Sequence, residues 1–333
     1  INSTSFGDVP HLLRMIITFT LTVESIGAVL LSLYFVPRYG LQGLWISAFL
    51  AVSAFCNAGF DILGFLGEYT SLTTLNDSYL VLFTIMALII IGGLGFIVWN
   101  DLIAYRKTKT LLLHTKIVLM VTIFLIVSGA ICFLLFEWDN PATMQPMNLK
   151  EKIGAAFMQS VTMRTAGFNS IDLYSMRDVT KVFSIVLMFI GAAPGSTGGG
   201  IKVSRFIILL KLTLREIRHI VHPRSVNIIK LEGQRVSDET IQGTTGYFIT
   251  YIMLLFGSFL LVSIDNYDFT TSITAVITTL GNVGPGLSLV GPVENFSLFS
   301  DFSKIVLSLD MLFGRLEIFP MIMLFSPSIW RKA

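Results

Sequence analysis

Three apolar segments too short to cross a bilayer, each placed between two that are long enough, constrain this chain more than any single motif. The long stretches cover residues 12–36, 79–102, 117–136, 182–214 with an interruption, 248–264 and 305–325. The short ones, 43–55, 153–163 and 269–280, follow the first, third and fifth of these. A spanning helix needs about 20 largely apolar residues, whereas segments of about 10 to 14 are buried core helices or re-entrant ones. The chain therefore reads as full span, half span, full span, three times over, and recurrence of one unit outweighs any isolated motif. Composition removes the soluble alternative: 53% of residues are hydrophobic and 13% charged, against about 25% charged in a domain that faces water. A cytosolic enzyme is excluded on that ground. Cys56 and Cys132 both lie in apolar stretches, so they offer neither a disulfide framework nor a zinc site. No cleavable signal peptide is legible, and residue 1 is Ile, so the natural start is expected upstream.

Each half-span runs into a glycine in similar surroundings: CNAGFD at 56–61, RTAGFNS at 164–170 and GNVGPG at 281–286. One such glycine would serve as an ordinary helix cap; three at matched positions indicate a shared task. Basic residues set the expected orientation. The linkers that hold the half-spans (37–77, 137–180 and 265–304) carry 6 Lys and Arg against 12 acids, whereas Arg106, Lys107, Lys109, Lys116, Arg215, Arg218, Arg224, Lys230 and Arg235 lie in the other connections. The half-spans are thus expected to dip in from the outer face.

A half-helix that stops near mid-bilayer turns the negative end of its dipole toward the membrane centre, where it attracts a cation. The non-helical return limb survives at that depth only inside protein or along water, and glycine lets its carbonyls turn without steric cost. No Asp or Glu occurs within 56–60, 165–168 or 281–286. Carbonyls that replace the hydration shell of a monovalent ion fit such loops better than a carboxylate ring for divalent ions.

The stretches SAFCNAGFD, VTMRTAGFNSID, LGNVGPGLS, GAAPGSTGGGIK and FGRLEIFP together resemble the Trk/Ktr/HKT potassium-transport membrane subunits, closest to the bacterial Ktr and Trk types. The resemblance implies an all-α integral membrane fold in which repeated span, re-entrant pore half-helix and span units surround a central pore. It places the filter at Gly59, Gly167 and Gly284, with neighbouring carbonyls from Asn57, Ala58, Thr165, Ala166, Asn282 and Val283, and potassium as the ion held there. Four units are implied, and three are present. The expected division is an N-terminal remnant (1–11) followed by the second (12–110), third (111–235, with the broken helix and a linker) and fourth (236–333) units. The first unit, and its filter loop, is expected to be missing.

The interruption at 192–200, AAPGSTGGG, holds one Pro and four Gly. Proline removes a donor and each glycine costs about 1 kcal/mol of helix propensity, so a helix should unwind there. GSTGGGIK is superficially like a phosphate-binding loop, but Lys202 follows Ile201 and no Ser or Thr comes next, which argues against nucleotide binding. The resemblance makes this break an intramembrane gate below the filter, with Ala192, Gly195, Gly198, Gly199 and Gly200 as its residues. Arg315 lies about 11 residues into the last span, near mid-membrane, and an ionisable group at that depth faces a bundle interior or a water path. By resemblance it projects into the pore and restricts flow jointly with the loop. Pairing with Asp310 or Glu317 is the structural alternative. Glu24 is expected to act as an interhelical hydrogen-bond partner and Arg164 as an off-axis brace.

The expected function is potassium uptake across the inner (cytoplasmic) membrane by a multi-pass protein, channel-like or sodium-coupled, with Na+ as the second candidate ion. A sodium-preferring member of the same family and a secondary transporter of another solute stay open. Enzyme activity is not expected, because His11, His114, His219 and His222 fall near span ends or linkers and form no H-E-x-x-H pattern. The resemblance also implies a homodimer with one pore per protomer and a cytosolic nucleotide-binding regulatory ring. The basic stretch 211–235 could meet that ring or anionic lipid of the bilayer. Neither a covalent cofactor nor a nucleic-acid partner is expected.

Overall fold

A computed structural model describes residues 9–324, apart from 69, 223–227, 232–233 and 293. Arg224, most of the N-terminal remnant and the end of the last unit therefore lie outside the described residues. The chain is an all-helical integral membrane fold, interrupted among the described residues by a two-residue hairpin, Lys230–Leu231 (β1) with Gln234–Arg235 (β2). Each unit starts with a long helix: α1 (Val9–Tyr39), α5 (Leu113–Glu137) and α9 (Asp238–Val262). Among the described residues these three are the continuous helices long and apolar enough to cross a membrane. A half-helix follows each: α2 (Leu41–Phe55), α6 (Leu149–Thr162) and α10 (Phe269–Gly281). All three match the expected segments to within a few residues at each end.

The starts of two half-helices are fixed by side chains. Asn148 and Glu151 form a reciprocal capping box on α6, satisfying two donors that a helix start otherwise leaves open. Asp268 accepts from the Thr271 amide at 3.0 Å at the start of α10. Partial burial pushes the Asp268 carboxyl up, but the hydrogen bonds from Thr271 outweigh it and hold it below the usual carboxylate range.

The second long helix of every unit is broken, which corrects the expectation of uninterrupted spans at 79–102 and 305–325. Counted among the three units present, the first (12–110) has α3 (Tyr79–Leu94) and α4 (Phe96–Thr108), bent by 94°. Gly95 between them has φ +86°, and the Phe96 amide leaves the helix to donate to Gly195 O at 3.1 Å. In the second unit α7 (Asp178–Phe189) and α8 (Val203–Val221) flank thirteen non-helical residues, a wider break than 192–200. The third unit has α11 (Asp301–Leu316) and α12 (Ile318–Leu324), parted at Glu317, whose φ is +66°. Glu317 is held there by Arg205 of α8 at 2.6 Å.

Half-helix α6 joins the two large apolar clusters. Met158 and Val161 pack with Leu50, Leu82 and Ile85 of the first unit, while Ala155, Ala156 and Met163 pack with Leu187, Tyr251 and Leu280. Backbones touch where the second helices cross the half-helix tips. A Cβ on Gly92 would lie 2.0 Å from Phe55 O, and one on Gly314 would lie 2.0 Å from Leu280 O. Gly314→Ala is therefore expected to separate α10 from α11 and destabilise the bundle by about 1–3 kcal/mol, as overpacking does. A lower thermal unfolding midpoint of the detergent-solubilised protein checks this, and an unchanged midpoint contradicts it.

Candidate functional site

The three half-helices end on loops that meet. A Cβ built on Gly59 would lie 2.6 Å from Gly167 Cα, and one on Gly167 would lie 2.9 Å from Val283 O. A Cβ on Gly284 would lie 3.7 Å from Gly167 Cα. The residues predicted from the sequence, Asn57, Ala58, Gly59, Thr165, Ala166, Gly167, Asn282, Val283 and Gly284, are thus on three adjoining loops.

The loops share a backbone code. The residue two before each central glycine has positive φ (Asn57 51°, Thr165 75°, Asn282 52°), as do Gly59 (72°), Gly167 (90°) and Gly284 (113°), whereas Ala58, Ala166 and Val283 between them do not. Hydrogen bonds show where the peptides point. The Ala58 amide donates back to Ser53 O at 2.9 Å, the Val283 amide to Thr278 O at 2.9 Å and the Ala166 amide to Thr162 O at 2.9 Å. In a trans peptide the carbonyl opposes the amide. The carbonyls of Asn57, Thr165 and Asn282 therefore point away from their half-helices.

Carbonyls just past the central glycines are anchored. Ser53 Oγ donates to Phe60 O at 2.6 Å, and Thr278 Oγ1 donates to Pro285 O at 3.0 Å, the same seven-residue reach in two units. The second unit has Val161 at this position and stabilises its loop differently, with Asn169 Nδ2 donating to Gly167 O at 3.2 Å and Ser170 Oγ donating to Ala155 O at 2.9 Å. Beyond the glycines opens a cavity of about 530 Å³ whose lining includes Gly59, Gly167, Gly284, Asp61 and Glu294.

On the other side the 190–202 loop closes directly against the three loop starts. A Cβ on Gly198 would lie 2.6 Å from Thr165 Oγ1 and 3.2 Å from Asn57 Nδ2, and one on Gly199 would lie 2.8 Å from Asn282 Cβ. The loop folds on itself, Gly191 N to Ile201 O at 3.0 Å and Ala192 N to Gly199 O at 3.3 Å. It reaches the first unit through Ala193 N to Gly93 O and Thr197 N to Gly92 O. Gly195 and Gly200 are its positive-φ residues, at 69° and 66°.

Cationic side chains hold the loop by its carbonyls. Arg315 Nη1 donates to Thr197 O at 2.6 Å. Neither carboxylate offered as the alternative partner takes that role, since Glu317 is paired with Arg205 and Asp310 accepts from Ser258 at 2.7 Å. Lys202 Nζ donates to Gly198 O at 2.6 Å, and buried Arg164 donates to Gly191 O at 3.3 Å. Glu24 accepts from Cys56 Sγ at 3.8 Å, a contact between α1 and the end of α2. Sequence reasoning misses the anchoring roles of Ser53, Thr278 and Lys202; the matched spacing of Ser53 and Thr278 from their glycines is the available signal.

A family profile named TrkH and described as a cation transport protein matches residues 2–332. The chain is 41% identical over 211 residues to the potassium/sodium uptake protein NtpJ of Enterococcus hirae, an alignment covering 63% of this chain and 46% of that protein. It is 34% identical over 300 residues to the Ktr system potassium uptake protein B of Bacillus subtilis, covering 87% of this chain and 63% of the relative. These alignments thus span about half to two thirds of the relatives' lengths. The fold also matches the crystal structure of the potassium transporter TrkH from Vibrio parahaemolyticus, with a TM-score of 0.82 at 24% identity over 99% of this chain and 67% of that one.

Gly167→Ala puts a Cβ 2.9 Å from both Gly59 Cα and Val283 O at a φ of +90°, a strain of about 1–3 kcal/mol. Calorimetric titration of the solubilised protein is expected to show alkali-cation binding weakened about tenfold or more with helix content retained. Unaltered affinity would count against the convergence as an ion site.

Proposed function

Because the chain belongs to the TrkH family of cation transport proteins, we propose that it takes up potassium through the three convergent loops and that the 190–202 loop gates the path. One observation carries this reading: three half-helix ends meet with the carbonyls of Asn57, Thr165 and Asn282 directed away from their helices. Such carbonyls, with the negative helix ends behind them, replace the water around a monovalent cation without binding it too tightly to leave. The ion sites lie at Asn57, Ala58, Gly59, Thr165, Ala166, Gly167, Asn282, Val283 and Gly284, within units 12–110, 111–235 and 236–333.

The half-helices enter from the outer face, where Asp61 and Glu294 in the cavity lining raise the local cation concentration. On the opposite side Ala192, Gly195, Gly198, Gly199 and Gly200 obstruct the path, and Arg315 adds a fixed positive charge that opposes a cation's residence. The protein sits in the cytoplasmic membrane as a homodimer, and the exposed Arg218 and His219 at the end of α8 suit a cytosolic regulatory ring that bears on the gate. The name of the Enterococcus hirae relative, a potassium/sodium uptake protein, supports a second reading in which Na+ is carried or coupled.

Uptake of potassium or rubidium into vesicles, with and without sodium, tests the reading. Uptake driven by a potassium gradient alone supports the channel-like form, a strict sodium requirement supports coupling, and solute uptake without alkali-cation flux refutes the proposal. Arg315→Ala is expected to raise the initial rate about threefold or more by freeing the Thr197 carbonyl and removing the charge barrier. An unchanged rate removes Arg315 from the gate.

A further inference from the structure

Resting on the potassium-uptake reading, we propose that Arg164 and Thr165 form a clasp coupling the gate to the filter, so that ion preference depends on the position of the 190–202 loop. The two residues are adjacent in the second filter loop, yet they hold opposite stems of the gate. Arg164 Nη2 donates to Gly191 O at 3.3 Å on the first stem. Thr165 Oγ1 accepts from the Gly199 amide at 3.1 Å on the second. Those stems are bonded to each other through Ala192 N and Gly199 O at 3.3 Å, so one dipeptide closes a ring through the base of the gate.

Both clasp residues are committed to this arrangement. Thr165 is fully buried and has φ +75°, a conformation rare for a β-branched residue and costly unless its surroundings enforce it. The Gly199 amide is one such constraint, and the carbonyl that Thr165 turns away from α6 is one of the proposed ion ligands. Arg164 is buried at the negative end of α6, which favours a cation. It also lines a small, mostly apolar cavity of about 20 Å³ together with Asn57, Ile89, Val161 and Ala192, so the first filter loop, the second filter loop and the gate border one space. Withdrawal of the loop from its present position removes the Gly199 donor and the Gly191 acceptor together. The Thr165 peptide then loses what holds its carbonyl in place.

A double-mutant comparison of the full-length protein in vesicles tests the clasp, with the ratio of potassium to sodium uptake as the readout. Arg315→Ala, which frees the loop from the third unit, is expected to shift that ratio about threefold or more, a coupling of the size common between linked sites. In an Arg164→Met background the same substitution is expected to leave the ratio within about 1.5-fold of Arg164→Met alone, because residues that act as a unit are non-additive. Thr165→Val, which keeps the shape and deletes the acceptor, is the second background should Arg164→Met fail to reach the membrane, and Arg164→Lys is expected to restore part of the shift. An equal shift of the ratio in all backgrounds overturns the clasp while leaving uptake and gating intact. Loss of selective uptake in the unsubstituted protein overturns the underlying reading instead.

Discussion

Irregular backbone at membrane depth must find its hydrogen-bond partners inside the protein, because an unsatisfied amide or carbonyl in hydrocarbon costs several kcal/mol. Thirteen consecutive residues, from Ile190 to Lys202, face that demand together. Their amides go to Ile201 and Gly199 of the same segment, to Val186 and Phe189 of α7, to Gly92 and Gly93 of α3, and to the Thr165 hydroxyl. Their carbonyls receive Phe96, Arg164, Lys202 and Arg315. Partners thus come from all three units. The loop has this shape because the bundle is assembled around it, and no local propensity would create it alone.

The same constraint shapes the three glycine loops, with the opposite outcome for the carbonyls. Their amides are bonded to the last turns of the half-helices, which leaves oxygens free on the other side. Positive φ at the central residue and two before it makes this arrangement possible, and glycine fills the central position in all three units because backbones of neighbouring loops approach within Cβ contact. The position two before tolerates Asn, which enters the left-handed region readily. Thr165 is the exception, and it is the one whose hydroxyl is occupied by the 190–202 loop. A residue poorly suited to its backbone angle is here suited to a contact with another segment.

How much of this is legible in the sequence depends on whether the signal is local. The half-helices and their glycines can be read because the same pattern recurs in each unit, and the break around 192–200 because Pro and Gly accumulate there. The breaks at Gly95 and Glu317 escape such a reading. At Gly95 the surrounding residues are apolar and helix-compatible, and the interruption arises from the Gly195 carbonyl of another unit accepting the Phe96 amide. At Glu317 a single acidic residue in an apolar run reads as a candidate partner for Arg315. Its actual partner, Arg205, is more than a hundred positions away in the chain. Hydrogen bonds across that distance leave no periodic trace.

The three breaks are also connected through α8. It begins at Val203, whose amide is still bonded to Ala192 O of the loop, and within its first turn Arg205 grips Glu317 at the break between α11 and α12. Gly195, at the turn of the loop, meanwhile holds the break between α3 and α4 through Phe96. α8 is therefore tied to the loop directly and to the third unit through Arg205. Through the loop and Gly195 it is also tied to the first unit. The long helices α1, α5 and α9 have no such breaks, and the half-helices are packed on them. In an all-helical bundle built this way, unbroken helices back the half-helices whose ends turn carbonyls outward, while the broken helices α3–α4, α7–α8 and α11–α12 are tied to one another through the 190–202 loop and Arg205.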